Sequence, residues 1–163
     1  MNIKKYQFGD NLIYEIEDLN TDVYKSLSDM VNTETALLKV DESDFSLLCE
    51  GYDKLMIGFG KISELDNLLN LFDLYKDSDR LILSVRSKDI NSREIFDTIS
   101  RVKAYFEDID IIYTIDQTTE IHDVVLYLPI KTNKKTYWVC PRCNNKNLID
   151  VMKCTLCNRD QPY

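Results

Sequence analysis

"RLILSVRSKDINSREIFDTISRVKAYF", residues 80–106, changes its periodicity partway along. The opening RLILSVRS is a short apolar, β-branched run of strand length. The continuation NSREIFDTISRVKAYF places Ile95, Ile99, Val102 and Phe106 on one stripe at helical spacing. The stretch therefore reads as a strand leading into a helix whose apolar side needs a sheet to cover.

The same alternation extends on both sides. Upstream, KLMIGFGKIS (54–63) reads as a buried strand. SELDNLLNLFDLYKD (63–77) then reads as a helix, with Ser63 as N-cap and Leu65, Leu68, Leu69, Phe72 and Leu74 among its apolar positions. Downstream, IDIIYTID (109–116) and HDVVLYLPI (122–130) read as two more strands. The order from residue 54 is β-α-β-α-β-β. It predicts an α+β two-layer sandwich, a four-stranded sheet with two helices on one face. Before it, KYQFGDNLIYEI (5–16) reads as a hairpin around Gly9-Asp10-Asn11. NTDVYKSLSDMVN (20–32) reads as a helix with Val23, Leu27, Met30 and Val31 at helical spacing and Asn20 or Thr21 as N-cap.

The chain has 163 residues, 44% hydrophobic and 29% charged, a globular composition. No apolar run approaches the roughly 18 residues a membrane span needs. The N-terminus carries Lys4 and Lys5 but no continuous apolar segment, so no secretory signal is expected and a cytoplasmic location is. Charge is unevenly spread. Residues 131–163 hold seven Lys/Arg and two Asp/Glu, a balance of +5, which leaves −13 on residues 1–130. So acidic a body repels phosphate backbones, and only the tail suits nucleic acid. Basic, aperiodic IKTNKKTY (130–137) marks the boundary. The predicted organisation is an N-terminal hairpin extension (1–22), the α+β domain (23–130), a basic linker (131–136) and a C-terminal four-cysteine finger (137–163).

The tail, YWVCPRCNNKNLIDVMKCTLCNRDQPY (137–163), holds four of the five cysteines, in two C-x-x-C pairs. Each such turn presents two thiolates to one ion, and two turns close a tetrahedral shell of Cys140, Cys143, Cys154 and Cys157 around zinc. So short a segment has almost no core, and zinc binding can supply about 10–16 kcal/mol toward folding it. A thioredoxin-like redox pair is the weaker rival, because there are two pairs and no βαβ context around either. Cys49 is left over and is expected to be a buried thiol, with His122 a surface residue.

The pattern W-x-C-x2-C-x3-N-x6-C-x2-C, through Trp138, Cys140, Cys143, Asn147, Cys154 and Cys157, resembles the Ran-binding-protein (NZF) class of zinc fingers. The resemblance implies two crossed hairpins around one zinc. Some members bind ubiquitin and others single-stranded RNA. Asn144-Asn145 stand where ubiquitin binders carry Thr-Phe. Asn145 and Asn147 match the paired asparagines of RNA binders, but Leu148 replaces their aromatic, and Asp150 and Val151 stand where arginines would be. Trp138, Asn145 and Asn147 are therefore the candidate partner-binding residues of the finger, with Trp138 over the zinc core and Asn147 on local backbone as the plainer assignment.

Residues 23–130 resemble the C-terminal domain of the tubulin/FtsZ family, in ordered pieces. SDMVNTETALLKVDESDFSLL (28–48) is similar to the end of the core helix plus the synergy loop, with Asp41 and Asp44 on the two loop acids. KLMIGFGKISE, DRLILSVRSKDINSREIFDTISRV and IDIIYTIDQTTEIHDVVLYLPI are similar to the strand, strand–helix and strand-pair segments that follow. The GTP-binding domain of that family carries a glycine-rich loop. This chain has four glycines, at 9, 51, 58 and 60, and no such loop, so no GTP binding by this chain is expected. The resemblance implies that Asp41 and Asp44 could position water in trans against a partner's GTP, although Lys39 replaces the family's loop asparagine.

The expected function is a non-enzymatic, zinc-binding protein-interaction module that associates with FtsZ-like filaments or itself. One alternative is a nucleic-acid adaptor acting through the basic tail, which would bind weakly. Another is an in-trans activator of a partner GTPase through Asp41 and Asp44. A ferredoxin-like ligand-sensing domain is the structural rival.

Overall fold

A computed structural model describes residues 2–31, 36–73, 78–89, 91–107, 109–117, 122–131, 137–148 and 151–161. The chain divides into two compact units, Met1–Lys131 and Thr132–Tyr163.

In the first unit the elements run β1 (Asn2–Phe8), β2 (Asn11–Glu17), α1 (Thr21–Val31), β3 (Ala36–Leu38), α2 (Glu42–Cys49), β4 (Lys54–Lys61), a 3-10 turn (Ile62–Glu64), α3 (Leu65–Asn70), β5 (Arg80–Arg86), α4 (Ser92–Tyr105), β6 (Asp110–Asp116) and β7 (Asp123–Ile130). All seven strands form one sheet in the order β1-β2-β4-β7-β5-β6-β3. Among the described residues only β5 and β6 pair in parallel, with α4 as the crossover between them.

The sheet is not the four-stranded, one-sided layer expected. Both faces are covered. On β7, Val124, Leu126, Leu128 and Ile130 join one core with α3 and α4, while Val125 and Tyr127 join a second core with α1 and α2. β5 divides likewise, with Leu81, Leu83 and Val85 toward the first core and Ile82 toward the second. Successive side chains of a strand point to opposite faces, so this division places the helix pairs on opposite sides. Two helical layers flank the sheet, and four helices do the covering where two were expected.

The hairpin folds as its turn dictates. Gly9 takes φ 59, the positive first position of a two-residue II′ turn, and β2 continues into the sheet by pairing with β4. Asn20 caps α1, its Oδ1 accepting from the Val23 N–H at 3.1 Å. Val23, Leu27 and Val31 are buried, but Met30, placed on the same stripe from sequence, is 65% exposed. Ser63 is no helix cap. It lies within the 3-10 turn, and α3 begins at Leu65 with no side-chain cap. Leu74 falls outside the described residues. α4 opens on a reciprocal capping box, with Asn91 Oδ1 accepting from the Glu94 N–H (2.9 Å) and Glu94 Oε2 from the Asn91 N–H (3.2 Å).

β3 and α2 both went unread in the sequence, and α2 is the larger omission. It occupies the stretch assigned to a loop, opened by Asp41 as N-cap, and it buries Phe45, Leu48 and Cys49 in the second core.

Candidate metal centre

The C-terminal unit holds two short hairpins. β8 (Tyr137–Val139) pairs antiparallel with β9 (Lys146–Leu148) around the first C-x-x-C turn. A Lys153–Asp160 bridge, with the Gln161 N–H donating to Met152 O at 2.8 Å, closes the second.

The two turns are built alike. In the first, the Asn144 N–H donates to Cys140 O (2.8 Å) and the Cys140 N–H to Asn145 O (2.9 Å). In the second, the Asn158 N–H donates to Cys154 O (2.8 Å) and the Cys154 N–H to Arg159 O (2.7 Å). Asn144 and Asn158 both take positive φ, 57 and 60. Asparagine tolerates the left-handed region better than most residues. The repeated C-x-x-C-N of CPRCN and CTLCN was thus a sequence signal for two equivalent turns, one that cysteine spacing alone passed over.

These turns bring four sulfurs together. The Sγ atoms of Cys140, Cys143, Cys154 and Cys157 all lie within 4.8 Å of one another. Cys140 and Cys157 are 3.5 Å apart, and Cys143 and Cys154 are 3.4 Å apart. A tetrahedron of sulfurs at 2.3 Å from a metal has an edge of about 3.8 Å, so the cage has the right size and donor chemistry for a four-thiolate site. Burial opposes charge on Cys154, but the backbone N–H groups of Cys157 and Leu156 outweigh it and bring the thiol down to about 6. At Cys140 burial is likewise outweighed, by the N–H groups of Cys143 and Arg142, and its pKa also falls. Cys143 goes the other way: the Asn145 N–H favours its thiolate, but burial and the Cys154, Cys157 and Cys140 thiols outweigh it and push it up to about 12. Thiolates are the metal-binding form, so Cys140 and Cys154 are the readier donors and Cys143 must give up its proton on ligation.

Trp138 is buried against the cysteines, and its Nε1–H donates to Val151 O at 2.8 Å. Asn147 is 2% exposed and joins the two hairpins. Its Oδ1 accepts from the Thr155 N–H (2.8 Å), the Thr155 hydroxyl (3.1 Å) and the Asn145 amide (3.2 Å). Its own amide donates to Asn145 O at 3.1 Å. Asn145 Nδ2 also donates to Thr155 Oγ1 at 3.0 Å and faces Cys154 Sγ at 3.9 Å. All three candidate partner-binding side chains of the finger thus have internal partners. Leu148's side chain and Asp150 fall outside the described residues. Val139, Met152 and Leu156 remain outward, 46%, 66% and 70% exposed.

Asp41 and Asp44 lie in the first unit, at the N-terminus of α2. Asp41 Oδ1 accepts from the Asp44 N–H (3.0 Å) and the Ser43 hydroxyl (2.5 Å), and Asp44 Oδ2 accepts from the Asp41 N–H (2.9 Å). The Ser43 hydroxyl, followed by the Asp44 N–H, holds Asp41 below the usual aspartate range. The D-x-x-D spacing ahead of FSLLC was the available sequence signal for this cap. His122 is exposed, with Nδ1 2.5 Å from Ser87 Oγ, and Cys49 is a buried thiol.

No family model matches the sequence, and no curated protein matches it. Among solved structures the chain is similar to an empty FtsZ dimer from M. jannaschii, with a TM-score of 0.45 and 18% identity over 71% of this chain. The match spans 38% of that chain's length.

Proposed function

We propose that the chain is a zinc-stabilised protein-interaction module without catalytic activity of its own. Cys140, Cys143, Cys154 and Cys157 would hold one zinc, which would supply the folding energy that so small a finger lacks. The observation that carries the interaction reading is the internal use of Trp138, Asn145 and Asn147. Side chains that could read bases are consumed in the finger's scaffold, whereas Val139, Met152 and Leu156 offer apolar contact outward. Base readers instead need free stacking and hydrogen-bonding groups. The W-x-C-x2-C-x3-N-x6-C-x2-C pattern supports a finger of the Ran-binding-protein type.

For the body, the ordered sequence segments of residues 23–130 make an FtsZ-like filament or a second copy of the chain the first partners to test. The test adds full-length protein to polymerising FtsZ and GTP and follows sedimentation and phosphate release, beside zinc content and GTP turnover of the protein alone. The expected result is one zinc per chain, no turnover alone, and co-sedimentation with filaments. A chain without zinc, or one that hydrolyses GTP alone, refutes the module. Zinc with no co-sedimentation removes FtsZ as the partner. Sequence-selective RNA binding at 200 mM salt replaces the reading with the nucleic-acid one.

A further inference from the structure

The two edges of the seven-stranded sheet differ. β3 is three residues long, and its register shifts between Ala36 and Leu38. Shortness and irregularity are ordinary protections against unwanted pairing. β1 has neither, running seven residues in unbroken register against β2, from Asn2↔Glu17 to Phe8↔Asn11.

The register decides which backbone groups are open. Phe8 and Asn11 flank a two-residue turn, so they exchange hydrogen bonds. By alternation so do Tyr6 with Ile13, Lys4 with Glu15 and Asn2 with Glu17. The N–H and C=O groups of Ile3, Lys5 and Gln7 therefore point away from β2, and no described residue pairs with them. Each face of the strand carries an exposed apolar side chain among polar ones, Ile3 (45% exposed) on one and Tyr6 and Phe8 (41% and 48%) on the other. Beside Ile3 a groove of about 310 Å³ opens between the sheet and α1, walled by Tyr14, Ile16, Phe59 and Met30.

Charge selects the occupant. Lys4 is neutralised by Glu15 and Glu17, at 3.7 and 3.1 Å. Lys5 shares the groove face with Ile3, because their neighbours Tyr14 and Ile16 both line it, and no described residue forms an ion pair with it. A second copy is a poor fit. Symmetric antiparallel pairing over the whole strand centres on Lys5 and sets it against its own twin, and like charges directly opposite are destabilising. We propose that β1 accepts an extended segment of a different protein as an added strand, with a carboxylate of that segment opposite Lys5 and an apolar side chain in the groove beside Ile3. Backbone pairing would supply affinity, and the Lys5 contact selectivity.

The probe is a capped seven-residue peptide alternating valine and threonine around one central glutamate, compared with a twin carrying lysine there. Amide exchange is followed in the full-length, zinc-loaded chain. Glutamate peptide is expected to slow exchange at Ile3, Lys5 and Gln7 at least tenfold more than its twin, leaving Ala36–Leu38 unchanged. Lys5→Glu should reverse the preference between the peptides. Lys5→Pro, which removes an outward N–H while sparing the β2 bonds, should abolish protection, and Lys5→Glu covers the case in which the proline variant misfolds. Equal protection by both peptides, protection by neither, or protection that rises with protein concentration without peptide overturns the proposal. The last outcome would mean self-pairing.

Discussion

The ring of Phe72 occupies the space a side chain on Gly58 would need: a Cβ there would lie 2.6 Å from Phe72 Cζ and 2.7 Å from Cε2. Gly60 has the same relation to α3, where a Cβ would lie 3.2 Å from Leu68 Cβ and 2.7 Å from Asn11 Oδ1. The two glycines let α3 and the turn that follows it, which carries Phe72, approach β4 closely. Gly58→Ala should therefore lower stability by about 1–3 kcal/mol, the usual cost of overpacking a filled core. Adding Phe72→Leu should recover part of that loss. Urea midpoints of the two single variants and the double variant form the cycle, and strict additivity would show that the two sites are not coupled.

Trp138 is the only tryptophan, so its fluorescence reports the finger alone. Cys154→Ser should abolish zinc binding by elemental analysis and shift Trp138 emission to the red. The circular-dichroism melt of the body should keep its midpoint. Asn147→Ala should retain the metal but weaken it by roughly 10–100-fold in a chelator competition, as loss of a supporting hydrogen-bond shell does.

The capping box gives Asp41 and Asp44 a structural role that a partner-facing loop would not have. Asp41→Ala should speed amide exchange at Asp44 and Phe45 by roughly fivefold, whereas Asp41→Asn, which keeps an acceptor, should change it little. The pH dependence has a definite sign. Asp41 titrates below its ordinary 3.8, so the cap's contribution is present above that pH and is lost as the pH falls through the folded-state value. Identical exchange in the wild type and in Asp41→Ala would return the two acids to the role of free loop carboxylates.

Glu17 is held by Lys54 at 2.8 Å and by Lys4 at 3.1 Å. Their hydrogen bonds, Lys54 first, pull its carboxyl down to about 2 from an ordinary 4.5. A depressed carboxylate stabilises the fold above the unfolded-state value and loses that contribution as pH falls. Stability should therefore decline between about pH 4.5 and 2, and Glu17→Gln should flatten that part of the acid-unfolding curve. The size of the effect should shrink with added salt, since the group is open to solvent.

Much of this was legible because it is local. Cysteine spacing, the Gly9 turn, and the stripes of Val23, Leu27 and Val31 or Ile95, Ile99 and Val102 depend on residues a few positions apart. Two local signals were present and passed over: D-x-x-D ahead of FSLLC, which caps α2, and the asparagine after each C-x-x-C pair. A third bore on the layers. LILSV, interrupted only by Ser84, and VVLYLPI are predominantly apolar runs with no alternation, and β5 and β7 are in fact buried on both faces. A sheet covered on one side would leave every second position polar.

The sequence by itself determined the Gly9 hairpin, the helices α1 and α4, the strand runs β4 to β7 and a four-thiol cage, since these rest on periodicity and on chemistry within short spans. Tertiary structure alone decided that α1 and α2 lie on one face and α3 and α4 on the other, that β7 runs between β4 and β5, and that Asn145 and Asn147 turn inward. The reason is physical. An apolar stripe records that a helix must be covered, but either face of a sheet can cover it, and the choice depends on how residues far apart in the chain fill one volume together.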